Sequence, residues 1–226
     1  MYTADRAPAS LAEMAYAKVK ERIILNEYRG GQTLDEASLA RQLELTRTPV
    51  REAVQRLAHE GLLRIIPRRG TMVTEPTIDQ MRQVFEARTP CEVQIVRLAA
   101  MRAEPGDVKE LEASLAGIDT LIEQRRFREL LVQDQRFHLR VAKIAGNQLL
   151  EEFYIRVYSL GIRLWYSTLP QRPAHEIKSE MHLHRDVAKA IRTHDPDFAE
   201  RAILTVIGGF PERVSDLIRR TATAAA

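Results

Sequence analysis

The stretch LTRTPVREAVQRLAHEGLL, residues 45–63, restricts the fold more than any other part of this chain. Val50, Val54 and Leu57 recur at helical spacing. On a wheel turning about 100° per residue, Val54 and Leu57 lie within roughly 40° of Val50. One side of the helix must therefore be buried. Thr48, Arg51, Glu52 and Gln55 fall at roughly 100–200° on the same wheel, on the exposed side. Pro49 belongs to the first turn, where its missing N–H costs nothing, and Thr46 or Thr48 can cap the helix. Gly61 supplies a natural stop.

The flanks supply a frame for this helix. A first helix is expected over residues 11–27, with Met14, Ala17, Val19, Ile23 and Ile24 as its apolar stripe. The paired glycines of YRGGQTL break it. Asp35 can cap a short helix to Leu43, joined by the tight link ELT to the helix described above. LLRIIP and GTMVTE then read as a small β-hairpin around RRG. Three helices and a hairpin make a winged helix-turn-helix, expected over residues 1–74. TEPTID, residues 74–79, reads as the way out of this domain, with residues 75–79 as a linker into a second domain over residues 80–226. Breaks at AEPGD, AGNQ, LPQRPAH and THDPD divide residues 78–220 into five or six helices, and TATAAA reads as a frayed end. The expected fold class is mainly α: a winged helix-turn-helix followed by an all-helical antiparallel bundle.

Charge is concentrated where that helix lies. Between Arg41 and Gly70 there are seven arginines against three acids, although the whole chain carries a net charge of only +3. A basic segment of this kind suits a polyanion. Arginine on a helix more often marks a solvated face. Here the helix-turn-helix frame and the tip PRRGT favour a recognition helix entering the DNA major groove by its N-terminus. An arginine there can bond guanine O6 and N7 together, while a wing tip reaches the minor groove or the backbone. Cys91 is the single cysteine, so no intramolecular disulfide forms, as suits a reducing cytosol. MYTADRAPAS lacks the apolar core of a signal peptide, and AILTVIGGF is about half of a bilayer span. A cytoplasmic protein without membrane contact is expected.

The segment LDEASLARQLELTRTPVREAVQRLAHEGLLRIIPRRGTMV resembles the DNA-binding domain of the GntR superfamily. That resemblance implies DNA contacts at Arg47, Thr48, Arg51, Arg69 and Gly70, with Pro49, Gln55 and Arg68 as further candidates beside them. Many members carry a basic residue on the preceding helix where this chain has Ala37, so that contact is expected to be missing.

The remainder is similar to the all-helical FCD effector module of the FadR-like subgroup. VFEARTPCEVQIVRLAA carries Arg88 and Glu92, DQRFHLRVAKIAGNQLL carries Asp134 and His138, and HRDVAKAIRTHDPDFAERAI carries His184. The resemblance implies an effector site of Arg88, Glu92, Asp134, His138 and His184. Asp134 and His138, at i and i+4, leave one helix face together, a spacing that suits two ligands on one ion. With His184 they would hold one divalent cation, Zn²⁺ or Ni²⁺. Metal-bound relatives place a further histidine where this chain has Val206. The bland alternative is a hydrogen-bonded Asp134–His138 pair with His184 lining a cavity. Arg88 either pairs with Glu92 one turn on or faces the bundle interior and clamps a carboxylate. Trp165, Tyr158 and Tyr166 line a pocket or are plain core, while His175, His182 and His194 read as exposed or capping.

The expected protein is a ligand-responsive transcription regulator, a repressor binding an inverted repeat as a homodimer and released by a small organic acid. A metal-dependent enzyme using Asp134, His138 and His184 is the alternative, but no sequence feature marks the general acid or base it needs. A non-specific architectural DNA binder is a third reading, disfavoured by the nearly neutral helical two-thirds of the chain.

Overall fold

The computed structural model describes residues 10–68, 70–75 and 77–209. Arg69 and the terminal TATAAA lie outside the described residues. The chain divides into two compact units at residues 76/77.

In the first unit, α1 (Leu11–Ile24) starts at Ser10, whose hydroxyl accepts the Glu13 N–H. It stops three residues short of the expected end. Asn26, with φ 57°, turns the chain instead. A two-residue strand, β1 (Thr33–Leu34), leads into α2 (Glu36–Leu43), whose N-cap Asp35 accepts from the Ser38 N–H. Glu44 closes α2 in the left-handed conformation, and α3 (Arg47–His59) follows with Thr46 at its N-cap position. The Thr46 side chain makes no cap hydrogen bond. β2 (Leu63–Ile66) and β3 (Gly70–Val73) pair antiparallel, and β1 adds to the far edge of β3, giving the order β1-β3-β2. That third strand was not anticipated. Val19, Ile23, Val50, Val54, Leu57 and Val73 are fully buried and form the core. Each such side chain contributes about 1.5–3 kcal/mol.

The second unit is helical: α4 (Ile78–Arg102), α5 (Pro105–Ala113), α6 (Ile118–Glu123), α7 (Phe127–Ile144), α8 (Gln148–Thr168), a 3-10 turn (Leu169–Gln171), α9 (Ala174–Arg192) and α10 (Pro196–Gly208). Seven α-helices among the described residues exceed the five or six expected, because the chain also turns around Gly117 (φ 73°) and Arg125 (φ 54°). All four expected breaks are present. Helix α4 is the axis of the unit and packs against α7, α8, α9 and α10. A capping box between Thr77 and Gln80 begins it. Pro90 lies inside α4 rather than in its first turn. Its side chain is exposed, so the carbonyl it leaves unpaired is on the solvent side. Among the described residues no helix is long and apolar enough to cross a membrane.

Candidate functional site

The front of α3 is the first candidate. Arg47, Thr48, Arg51, Glu52, Gln55 and Arg56 are exposed, while Val50, Ala53, Val54 and Leu57 are buried. Pro49, expected among the contacts, is buried with them and shapes the helix start without offering a surface. Arg51 is 64% exposed and its Nε lies 3.2 Å from Glu36 Oε2 on α2. An ion pair this open is worth little and is readily exchanged for a stronger partner. At the wing, Arg68 is exposed and held at φ 63°, and Gly70 sits at φ 92°, where a side chain would be strained.

The other end of α3 is tied down. Lys20 of α1, fully buried, donates to Glu60 at 2.7 Å and to the Tyr16 hydroxyl at 2.6 Å. Tyr16 in turn donates to Glu60 Oε1 at 2.7 Å, and the Arg56 guanidinium stacks 3.8 Å from the Tyr16 ring centroid. Burial pulls the Lys20 ammonium down to about 8, only partly offset by Glu60. Sequence reading did not identify this brace.

The second candidate lies inside the helical unit. Helix α7 presents Asp134 and His138 from one face, and α9 brings His184 to meet them; all three are buried. The two Nε2 atoms are 3.0 Å apart, and Asp134 Oδ1 is 3.7 Å from that of His138 and 3.5 Å from that of His184. Metal–nitrogen distances of about 2.0–2.1 Å in a tetrahedral shell put ligand atoms about 3.3–3.4 Å apart. The triangle therefore has the dimensions of three ligands on one ion. Conversely, 3.7 Å is too long for an Asp134–His138 hydrogen bond.

Neighbouring groups orient the three. Tyr158 donates to Asp134 Oδ2 at 2.6 Å, leaving Oδ1 toward the histidines. His184 Nδ1 lies 3.2 Å from the Met181 carbonyl, so a neutral His184 presents a lone pair at Nε2. The Tyr154 hydroxyl is 2.9 Å from His138 Nδ1. Burial, with His184 and Arg88 nearby, holds His138 well below the ordinary histidine range and therefore neutral. Burial also raises the Asp134 carboxyl, against the pull of His184, Tyr158 and Arg88. A positive charge bound here would restore the carboxylate.

Arg88 pairs with Glu92 one turn on, but inside the bundle rather than on its surface. Its Nε donates to Glu92 Oε1 at 2.5 Å, yet the pair is buried and Arg88 lines the cavity beside Asp134, His138 and His184. Burial opposes the Arg88 charge, but Glu92 with Tyr154 and Tyr158 outweighs it and keeps the guanidinium ionised. Gly161 of α8 makes room: a Cβ there would sit 3.1 Å from Arg88 Nη1. The cavity, about 30 Å³, is completed by Trp165, Glu180 and Val206 among others. Val206 thus lies where the family's further histidine was expected, with an apolar side chain. Trp165 donates to Glu180 at 3.0 Å, and Arg172 sits 2.6 Å from the other Glu180 oxygen.

Tyr154, Glu180 and Arg172 were missed in the sequence. The one available signal was the spacing of Tyr154, Tyr158, Gly161 and Trp165 along one face of α8. His182 pairs with Asp119 at 2.7 Å, His194 bonds the Ala100 carbonyl at 2.8 Å, and His175 is exposed.

Comparison with known proteins bears on both sites. Residues 11–73 match the bacterial regulatory proteins of the gntR family, and residues 83–209 match the FCD domain. The chain is 27% identical to the Nta operon transcriptional regulator of Aminobacter aminovorans, over 87% of this chain and 90% of that protein. It is also 27% identical to the HTH-type transcriptional repressor RspR of Escherichia coli, over 83% of this chain and 81% of the relative. The fold is similar to that of E. coli McbR/YncC, with a TM-score of 0.85 at 19% identity, covering 93% and 99% of the two chains. These relatives are transcription regulators, not enzymes.

Proposed function

Because the chain belongs to the FCD-domain family and carries a gntR-family domain ahead of it, it is a DNA-binding transcription regulator, and we propose that it is a ligand-responsive repressor. It binds an inverted-repeat operator as a homodimer. The observation that carries this reading is the sorting of α3 into a fully buried back and an exposed front bearing Arg47, Thr48, Arg51 and Gln55. In this reading residues 1–74 are the DNA-binding domain and residues 80–226 the effector-binding and dimerisation domain. Arg47, Arg51 and Gln55 read base edges; Thr48 and the wing residues Arg68, Arg69 and Gly70 hold the backbone. A single module of this size is too small for a tight specific interface, and two-fold symmetric proteins read palindromes, which favours a dimer. Repression is favoured by the likeness to RspR.

Asp134, His138 and His184 hold a divalent cation, Zn²⁺ or Ni²⁺, and the spacing of their ligand atoms supports it. Three protein ligands would leave a bound ion free to accept an anionic oxygen as well. Arg88 directs the carboxylate of a small organic acid to the ion through paired hydrogen bonds. By linkage, an effector that weakens DNA binding itself binds more weakly to the DNA complex.

Footprinting on DNA upstream of the gene and its neighbours tests the reading. Protection of two half-sites about one helical turn apart is expected. No sequence-selective protection at moderate salt contradicts it.

A further inference from the structure

Tyr154 and Glu92 line a second small cavity, about 10 Å³, on the Nδ1 side of the His138 ring. Glu92 spends Oε1 on Arg88, while its Oε2, buried in a residue only 2% exposed, has no hydrogen-bond partner among the described residues. An orphaned carboxylate oxygen in an apolar interior is costly, so it calls for a donor. Tyr154 and Glu92 share the wall of this cavity, which makes the Tyr154 hydroxyl the donor at hand for that oxygen.

The hydrogen bonds around His138 can close in two ways. Without an ion, the His138 proton sits on Nε2 and donates to the Nε2 lone pair of His184, whose own proton is spent on the Met181 carbonyl. His138 Nδ1 then accepts from Tyr154. With an ion on Nε2, the ring keeps one proton, now on Nδ1, so no charge is created. Tyr154 must become the acceptor, and its O–H needs a new partner. Glu92 Oε2 is the oxygen without one.

Resting on the metal reading above, we propose that Tyr154 is a positioning residue for the cation: it fixes the Nδ1–H form of His138 by passing its own hydroxyl to Glu92. The chain Glu92–Tyr154–His138 thereby aims the Nε2 lone pair and increases its donor strength, as carboxylate-backed histidines do in metal sites generally. Because Glu92 also holds Arg88, the same carboxylate joins the cation to the anion clamp.

Zn²⁺ affinity of the full chain, measured by competition with a chromophoric chelator, tests this. Tyr154→Phe is expected to weaken binding by about 10–100-fold. In Zn²⁺-loaded wild type, ¹⁵N spectra of the imidazoles should show His138 protonated at Nδ1. Equal affinity for the variant overturns the proposal, as does a His138 that ligates through Nδ1, a result the spectra can give even if the variant fails to fold. A wild-type chain that binds no Zn²⁺ overturns the metal reading itself, a result distinct from either.

Discussion

Single side chains decide both candidate sites. Arg51 reaches off α3 and pairs with Glu36, a half-buried acid of α2. If it reads a base, Arg51→Ala loses roughly 1–3 kcal/mol of base discrimination, whereas loss of a phosphate contact weakens binding to all sequences alike. Binding titrations on operator variants separate the two; unchanged operator preference contradicts the assignment. Val206 is the converse case, an apolar residue at the wall of a charged cavity. Val206→His restores a fourth ligand and is expected to tighten Zn²⁺ binding, by about an order of magnitude or more, in chelator competition. The exposed placement of Arg47 and Arg51 was legible from the charge and period of α3, and the shared face of Asp134 and His138 from their i, i+4 spacing, whereas His184 entered only through the family resemblance. Tyr154 and Glu180 were not legible. A helical tyrosine looks like core and a helical glutamate looks solvated until the fold shows what each faces.

At the level of elements, α3 was legible almost to the residue, since its apolar period and Gly61 leave little freedom. β1 was not, because two residues carry no period and exist as a strand only through pairing with β3. The breaks on either side of α6 escaped notice because no proline stands in them; only Gly117 and Arg125, both at positive φ, turn the chain.

The tie between α1 and α3 has a measurable consequence. With Lys20 lowered from 10.5 to about 8 in the fold, the unfolded chain binds the proton more tightly between those values. Stability of the first unit therefore rises with pH across that window, and the cost of charging Lys20 is fully present below about 8. The effect is on the order of a few kcal/mol at most. Cys91, pushed up to about 11 by burial and by Glu92, acts in the opposite sense but belongs to the second unit and is common to any Lys20 variant. Urea unfolding followed by methyl signals of the first unit should show wild type gaining on Lys20→Met from pH 8 to 10. A constant difference contradicts the assignment.

For the whole molecule, each unit buries a core of its own, one around Val50, Val54 and Leu57 and one around α4. The division into two parts was legible from TEPTID and from the change in periodicity after it. What a bundle of this kind encloses was only partly legible, because residues far apart in sequence, from Arg88 to Val206, line one cavity. The central claim is that α3 buries its apolar side in order to offer the other to duplex DNA. Fluorescence anisotropy of the full chain on its footprinted operator and on a scrambled duplex of equal length, both at physiological salt, tests it directly. The account predicts at least about a thousandfold preference for the operator. Equal affinities, falling together as salt is raised, would contradict it.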